Sequence, residues 1–508
     1  MRGTVLVAVL EPSRTLRTYG NWRRPASAGL GSLGALGTGV LVGGLVLVIL
    51  TTMLAGLVPA LVLAGLVGVF LAGLAVRDRH GASALKRAAV RAGWWRTRLA
   101  GTDAYRSGPL GAAGWGTFQL PGLAAASRLS EQADSYGRRF ALLSVPAKAH
   151  HTVVLACEPD GASLVDAEQV DSWVAHWGGW LASLGSEPAL VAVSVTVETA
   201  PDSGARLRRE VETRADPDAP AVAQSVLREL VESYPAGSAT VKASIALTFE
   251  AALRRGARRR DDGQVARDLA ARLPGLTSRL SATGAGAARP MTAQELCETV
   301  RVAYDPPAAR LIDAARADGQ VPELSWPQVG PAAQQTSWDS LRHDGGTSVS
   351  WSMTGAPRGE VYSSVLTSLL APHPDIDRKR VTLLYRPMDA ARAAAVVEAD
   401  KRNADFRVSS TSRPSARALS EQRSTAATAA EEARGAGLVN FGLLVTATVT
   451  DPGRLADARA AVDHLAATAR LQLRPVYGSQ DSAFAAGLPL GLVLPEHLNV
   501  PAGIRNAL

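Results

Sequence analysis

The residues that could carry out catalysis in this chain lack the spacing that known catalytic motifs require. None of the five lysines follows a glycine, so the Gly-Lys step with which a P-loop holds phosphate is missing. The sequence also has no G-x-S-x-G elbow and no H-E-x-x-H helix. We therefore expect no ATPase activity of the Walker type and no other enzymatic activity, and we predict no cofactor.

Cysteine and histidine are not spaced as metal ligands. Cys157 and Cys297 have no Cys or His at ligand spacing, and we interpret both as small core residues in a reducing compartment. His150 and His151 are adjacent in a predicted strand, so their side chains point to opposite faces and are badly placed to share one metal ion. We expect these two histidines at the surface or in a hairpin, and we predict no metal site.

Two clusters suit binding better than catalysis. Trp173, Trp177 and Trp180 fall at helical spacing, which predicts either a buried stripe or a face that docks a partner. The basic run Arg254–Arg260 precedes two aspartates. Direct contact with nucleic acid is one interpretation of this run, and the one that we favour is a solvated helix end with a carboxylate cap.

The strongest pattern in the chain is an apolar run near its start. From Pro25 to Val76 there is no Asp, Glu, Lys, Arg or His. Because one helix needs about 20 apolar residues to span a bilayer, this run predicts two spans, near 32–52 and 56–76. Thr51, Thr52 and Pro59 would mark the reversal between them. The G-x-G-x-x-G at Gly29 lies inside this run, without the strand that a dinucleotide site needs, so we discard it.

The orientation of the predicted hairpin follows from its flanking charge. Basic residues stand on both sides of the run and none in its turn: Arg14, Arg17, Arg23 and Arg24 before it, and Arg77, Arg79, Lys86, Arg87, Arg91, Arg96 and Arg98 after it. The positive-inside rule then places both termini in the cytoplasm and the turn outside. We therefore predict a multi-pass protein of the cytoplasmic (inner) membrane. Gly39 and Gly43 form a G-x-x-x-G that suits either packing within the hairpin or a partner helix.

A basic helix is predicted just after the second span, from Arg77 to Arg98. Lying along the inner leaflet, it would hold its arginines at lipid phosphates and its indoles at the headgroups. The alternative is a soluble linker helix. The candidate membrane-interface residues are Arg23, Arg24, Arg77, Arg79, Trp94 and Trp95.

The remainder of the chain alternates between short β-like runs and helical runs, which predicts an α+β class. We divide the chain into 1–31 as a cytoplasmic N-terminal segment, 32–76 as the transmembrane hairpin, 77–109 as the basic juxtamembrane helix, and 110–284 and 285–508 as two cytoplasmic α+β domains. The composition of Ser281–Ala288 predicts a flexible linker at this last boundary.

Individual elements follow from the periodicity of each segment. Strands are predicted near 115–120, 139–145, 152–157, 190–198, 240–249, 348–353, 380–385, 441–449 and 472–477. Helices are predicted near 166–184, 203–233 (two), 291–304, 389–406, 413–435 and 455–470. The strand, helix and strand of 436–478 suit half of a ferredoxin-like domain.

Two parts of the sequence resemble components of conjugation machinery. Tyr19–Pro25 (YGNWRRP), followed by the hairpin, resembles the start of PrgI-type proteins, small double-spanning subunits of conjugative type IV secretion systems. Met291–Leu296, the Tyr304-Asp-Pro turn and Tyr477–Gly491 resemble the N-terminal domain of the large conjugation ATPases, which precedes the motor and docks it at the membrane. The chain also resembles actinobacterial membrane proteins found with mobile-element secretion genes, some of which are labelled EccE-like. The resemblance covers roughly 15–80 and 285–495.

This resemblance implies a non-catalytic inner-membrane scaffold of a conjugative DNA-transfer or type IV-like secretion apparatus. The scaffold would be an oligomer that anchors a separate cytoplasmic ATPase, because the motor would begin where this sequence ends. Its partners would be membrane lipids and other secretion subunits, including that ATPase. The candidate partner-docking residues are Trp173, Trp177, Trp180, Tyr477 and Phe484. The alternatives are an EccE-like core component of a type VII secretion complex and a membrane-bound enzyme without a recognisable motif.

Overall fold

Helix and sheet both contribute to the protein, so its α+β class is confirmed. The computed structural model describes residues 17–20, 22, 34–78, 80–111, 118–161, 164–202, 204–233, 239–252, 259–357 and 359–498. The predicted strand at 115–120 lies largely outside the described residues, and residues 118–120 are not in a strand.

The N-terminal apolar run forms two helices that pack against each other, α1 (Gly34–Ala55) and α2 (Leu57–Ala75). Both are long and apolar enough to cross a membrane by length and composition. The break between them lies at Gly56, whose φ is +87°. Thr51 and Thr52 do not mark the reversal, because they lie within α1 and their hydroxyls donate to backbone carbonyls one turn earlier. The predicted spans 32–52 and 56–76 agree with α1 and α2 to within three residues at the break.

The rest of the described chain forms one sheet with helices on both faces. The sheet contains thirteen strands: β1 Ala104–Arg106, β2 Arg128–Ala133, β3 Arg139–Val145, β4 His150–Glu158, β5 Leu190–Pro201, β6 Ala239–Glu250, β7 Ala287–Pro290, β8 Ala333–Thr336, β9 Leu341–His343, β10 Gly346–Gly355, β11 Arg378–Pro387, β12 Val439–Val449 and β13 Gln472–Pro475. The helices after the hairpin are α3 Ala84–Leu99, α4 Ala167–Leu184, α5 Ala205–Arg214, α6 Ala221–Ser233, α7 Asp262–Ser278, α8 Ala293–Tyr304, α9 Ala308–Ala317, α10 Thr367–Leu370, α11 Ala390–Ser409, α12 Ala416–Ala433, α13 Leu455–Thr468, α14 Gln480–Ala486 and α15 Leu494–His497.

Every neighbouring pair of strands is antiparallel. The order across the sheet is β1-β8-β9-β10-β12-β11-β5-β6-β4-β3-β2, with β13 paired to β10 and β7 paired to β4. One face of the long central strands is aliphatic, and the other is rich in buried serine and threonine.

The strand order contains the same arrangement twice. In the first half, β4, α4, β5, β6, α7 and β7 follow one another, and their strands lie in the order β7-β4-β6-β5. In the second half, β10, α10, β11, β12, α13 and β13 lie in the order β13-β10-β12-β11. Each half inserts two helices at the same point, α5 and α6 in the first and α11 and α12 in the second. The halves join where β5 pairs with β11.

Three hydrophobic clusters hold the two faces of the sheet. On one face, helices α4 and α7 cover the first half, and α10 and α13 cover the second half. On the other face, α8 and α14 pack together with the segment 484–492 over strands of the first half. The C-terminal part of the second half therefore completes the core of the first half.

Serine and threonine occupy the sheet beneath this C-terminal segment. Thr382 donates its hydroxyl to the carbonyl of Gly487 at 2.8 Å, and Thr248 donates to the carbonyl of Gly491 at 2.9 Å. These hydrogen bonds pair buried polar groups that would otherwise destabilise the fold.

The predicted linker Ser281–Ala288 is not a linker, and this expectation is corrected. Its end belongs to β7, which pairs with β4. Gly284 and Gly286 have positive φ, the first packs under the ring of Trp173, and a Cβ on the second would overlap the carbonyl oxygen of Glu158. These glycines therefore allow close packing. The domain boundary at 284/285 stays a prediction, although strands from both sides of it join in one sheet.

Candidate functional site

The site with the most predicted residues lies where the apolar hairpin meets the rest of the protein. After α2, Asp78 accepts the backbone N–H groups of His80 and Ala82, both at 2.9 Å. Ser83 then caps α3 by accepting the N–H of Lys86 at 3.2 Å. Asp78 has its pKa lowered, chiefly by the Ala82 hydrogen bond. The turn is therefore a hydrogen-bonded connection that fixes the direction of α3.

Helix α3 is attached to the second half of the sheet by aromatic side chains. Trp94 is 8% exposed, and its ring centroid lies 6.2 Å from that of Trp338. Trp338 stacks on Tyr477 at 5.5 Å. Gly478, at φ +72°, allows this approach, because a Cβ there would lie 3.0 Å from the Trp338 ring. Such aromatic pairs contribute roughly 0.5–1.5 kcal/mol beyond the area that they bury.

A groove of about 590 Å³ opens between α3 and this aromatic cluster. Its basic side chains are Arg87, Arg91 and Arg474, and its acidic side chain is Asp78, which lies 3.9 Å from Arg474. Arg91 lies over the ring of Trp338 at 5.5 Å. Three guanidinium groups facing one carboxylate give the groove a net positive charge, which favours anions such as phosphate.

The segment that precedes α1 also contacts the folded body. Tyr19 makes an antiparallel bridge with Val361, and its hydroxyl donates to Asp171 at 2.6 Å. Burial and the Asp171 carboxylate raise the pKa of Tyr19 to about 12. Thr18 donates to Glu360 at 2.7 Å. The chain before α1 and the chain after α2 therefore contact the same body.

The predicted membrane-interface residues have different environments. Trp94 packs inside the protein, so it is not exposed to headgroups as predicted, whereas Trp95 is 66% exposed. Arg77 pairs with Ser83 in the turn. The other three predicted residues lie outside the described residues: Arg23, Arg24 and Arg79.

Most of the predicted docking residues are packed rather than exposed. Trp180 is 3% exposed and Phe484 is fully buried, so the expectation that they form a docking surface is corrected. Trp177 is half-buried between Trp180, at 4.9 Å, and Tyr385, at 6.3 Å. Trp173 packs over Gly284. The tryptophan stripe of α4 is thus a packing face, because the periodicity that marks a docking helix also marks a core helix.

Tyr477 is half-buried and lines the groove beside α3. It stacks on Trp338, and Arg474 lies over its ring at 5.5 Å. Sequence reasoning missed Trp338 and Arg474, which lie far from the hairpin in the chain. Only the pairing of β13 with β10 brings Arg474 toward the turn after α2, and no local pattern signals that pairing.

The cysteines and the adjacent histidine pair lie in the core. Cys157 and Cys297 are buried, as predicted, and burial raises their thiol pKa to about 11 and about 12. His150 and His151 are buried and not at the surface, and they begin β4 in the hairpin of β3 and β4, which was the other predicted alternative. Among the described residues, no group of three or more His, Cys, Asp or Glu could hold a metal ion.

The basic run Arg254–Arg260 is described only at its end. Arg260 donates to Asp268 at 2.7 Å and to the backbone of Ala251. Asp261 caps α7 through a reciprocal capping box with Gln264. The described end of the run is therefore held by a carboxylate and precedes a capped helix.

The hairpin region of the chain matches a protein family. A family described as a domain of unknown function (DUF8461) matches residues 26–86. This range covers α1, α2, the turn with Asp78, and the first residues of α3. No curated protein matches the chain.

Proposed function

We propose that this protein is a non-catalytic scaffold of the inner membrane in a conjugative DNA-transfer or type IV-like secretion apparatus. In this role it anchors a separate cytoplasmic ATPase. The observation that carries the proposal is the attachment of α3, which follows the second apolar helix after a hydrogen-bonded turn, to the folded body through the Trp94–Trp338 contact. This contact links the hairpin to the body, as an anchoring subunit requires.

The proposed topology has two membrane spans with both termini in the cytoplasm. Contacts of Thr18 and Tyr19 before α1, and of Asp78 after α2, with the same body support this topology. The flanking arginines support it by the positive-inside rule. Reporter fusions after Val76 and at Leu508 both score cytoplasmic in this topology, and an external signal from either contradicts it.

The lipid partner proposed for the groove beside α3 is an anionic headgroup. The groove begins three residues after the end of α2, and its three arginines suit a phosphate. Double substitution of Arg87 and Arg91 by Gln should lower the amount of phosphatidylglycerol that stays bound to the full-length protein in detergent. The same change at Arg96 and Arg98, which do not line the groove, serves as the matched control. Equal effects of the two double variants would mean that the helix charge acts without a groove.

For the folded body we propose two ferredoxin-like units. Their support is the connectivity strand-helix-strand-strand-helix-strand with the fourth strand beside the first and the third beside the second, found in both halves. Helical insertions between the second and third strands of each unit then extend from the sheet as α5–α6 and α11–α12.

The second unit is the proposed docking surface for the ATPase. Its helical insertion is exposed, and Phe406 on α11 is 70% accessible. In the first unit, the equivalent insertion carries Val222 on α6, 74% accessible. Large exposed apolar side chains of this kind anchor protein interfaces, and a stable complex buries at least about 1,000 Å².

The test is co-purification with a conjugation-type ATPase encoded in the same gene cluster. A fragment of residues 81–508 keeps α3 and should still bind the ATPase, because the hairpin gives the location and the body gives the contact. Phe406→Asp should reduce binding at least tenfold, and Val222→Asp should leave it unchanged. The reverse result would move the interface to the first unit. If neither the full chain nor the fragment binds, the scaffold proposal fails.

A further inference from the structure

A second groove lies far from the hairpin, between the sheet and helices α8 and α9. Its cavity volume is about 670 Å³, within the range of about 300–1,000 Å³ that is usual for small-molecule sites. The sheet forms its floor where β5 and β11 pair, and the floor carries Glu198, Arg378, Arg380 and Lys242. Apolar residues on the other walls include Met291, Val302, Ile312 and Pro489.

The charged residues of the floor share one face of the sheet. Glu198 lies directly opposite Arg380 on β11 and opposite Lys242 on β6, and residues paired in this way point to the same side. Arg378 is two positions along β11 and therefore also points into the groove. Arg380 is 5% exposed and Arg378 is 14% exposed, so both guanidinium groups are largely removed from water.

One carboxylate faces the two buried guanidinium groups. Arg378 donates to Glu198, while the nearest nitrogen of Arg380 lies 3.5 Å from it. The Nε atoms of Arg378 and Arg380 are buried, and neither has a hydrogen-bond partner within the described protein. A guanidinium has five N–H donors, so the single carboxylate of Glu198 leaves the Nε donors of both arginines unpaired. Buried charge of this kind destabilises a fold unless a further anion pairs with it.

The second half of the molecule shows that strand pairing does not require these charges. The β5–β11 pairing is symmetric about Thr196 and Thr382, so the pair Glu198–Arg380 has an equivalent in Leu384–Ser194. On the next strand, Gly442 stands opposite Leu384, where the first half has Lys242. The β5–β11 pairing is thus made with the uncharged pair Leu384–Ser194 on one side of Thr196 and Thr382 and with the charged pair Glu198–Arg380 on the other. The charged cluster therefore requires an explanation other than holding the halves together.

Two acidic residues of the helical wall have cations of their own. Glu295 pairs with Arg289 at 2.7 Å, and Glu298 pairs with Arg316 at 2.5 Å. Their carboxylates are therefore engaged by arginines other than Arg378 and Arg380.

We propose that this groove binds a small molecule with one acid group, a phosphate or a carboxylate, and an apolar body. Arg378 and Arg380 hold the acid group by charge-assisted hydrogen bonds. The apolar walls contact the body of the ligand. Phe484 supports Arg380 from below, with its ring centroid 4.7 Å from the guanidinium carbon. This site is independent of the proposed scaffold role.

The test uses three probes that share a phenyl ring: phenyl phosphate, benzoate and the neutral benzamide. Calorimetric titration into the full-length protein in detergent should show saturable binding of at least one acid and at least tenfold weaker binding of benzamide. Preference between the two acids identifies the ligand class. If neither acid binds, or if benzamide binds equally well, the groove is not an anion site and the proposal fails.

Variants separate a binding site from a structural ion pair. Arg378→Gln should lower acid affinity at least tenfold, whereas Arg386→Gln, on the same strand and outside the groove, should not change it. Glu198→Gln removes the internal carboxylate that competes with the ligand, so acid affinity should rise about tenfold. The thermal shift caused by the acid should also be larger in Glu198→Gln than in the native protein. If the ion pair is purely structural, the acid causes no thermal shift in Glu198→Gln, or it binds this variant more weakly than the native protein. Either result would overturn the proposal.

Discussion

Buried histidine in this protein is held in one tautomer by a chain of hydrogen bonds. The Nδ1 of His343 lies 2.6 Å from the carbonyl oxygen of Tyr304, which can only accept, so Nδ1 carries the proton. Nε2 then accepts from the hydroxyl of Ser348 at 2.8 Å, and Ser348 accepts in turn from Thr448 at 2.7 Å. Every member of the chain is buried. The network therefore satisfies both nitrogens of a neutral imidazole.

Acid should destabilise the protein in a window set by its buried histidines. Burial lowers the pKa of His343 and of His150 from 6.5 to about 4. Between these values the unfolded chain binds protons that the folded chain does not, so stability is complete above about pH 6.5 and falls as the pH decreases toward 4. Each histidine contributes up to about 3 kcal/mol to this fall. Chemical denaturation at a series of pH values measures it.

Substitution of His343 and His150 tests whether they cause the loss of stability in acid. His343→Gln and His150→Gln should each flatten the curve of unfolding free energy against pH between 4 and 6.5. The exposed His464→Gln is the matched control and should leave the slope unchanged. An unchanged slope in both buried variants would contradict the assignment.

At the scale of elements, the hairpin packs through one glycine of α1 rather than through its G-x-x-x-G. A Cβ on Gly44 would lie 2.8 Å from Val67 of α2, whereas a Cβ on Gly39 or Gly43 would meet nothing within 4 Å. The two glycines of the G-x-x-x-G motif therefore do not face α2. Of the two interpretations, a partner helix is the one that this geometry leaves open.

Leucine at Gly44 should separate the two apolar helices, and leucine at Gly43 should not. Val67 is β-branched and has little rotamer freedom with which to move aside, so overpacking there destabilises by about 1–3 kcal/mol. Disulfide cross-linking between cysteines introduced on facing positions of α1 and α2 measures their approach. Equal cross-linking in Gly44→Leu and Gly43→Leu would contradict this packing.

The sequence predicted the long elements well because their periodicity is strong. The predicted strand 139–145 coincides with β3, and the predicted helix 455–470 contains α13. It missed β2, α7 and α9. In α7 the apolar residues Val265, Leu269, Leu273 and Leu276 do recur at helical spacing, and Pro274 stands within the helix. Composition alone suggested a linker at Ser281–Ala288, since the glycines that close packing requires are the same residues that flexible linkers contain.

At the scale of the molecule, the duplicated arrangement was hidden from sequence reasoning. The clearest local trace is at the fourth strands, where β7 and β13 both end in Arg-Pro. Arg289 is the arginine of the first pair and lines the groove between the sheet and helices α8 and α9. Arg474 is the arginine of the second pair and lines the groove beside α3. Pairing of strands far apart in the chain creates both grooves, so their residues could not be grouped from spacing.

The two halves should unfold together, because the C-terminal part of the second half completes the core of the first half. Leu490 follows the second unit in sequence, yet it is fully buried in the cluster that contains Leu143 of β3 and Val154 of β4. Leu490→Ala should destabilise by about 2–5 kcal/mol. Amide hydrogen exchange should then accelerate in β3 and β4, more than 300 residues away in the chain, as well as in β10 and β12. The exposed Leu498→Ala, close by in sequence, should change neither. Faster exchange confined to residues 285–498 would instead support two independent domains with a boundary at 284/285.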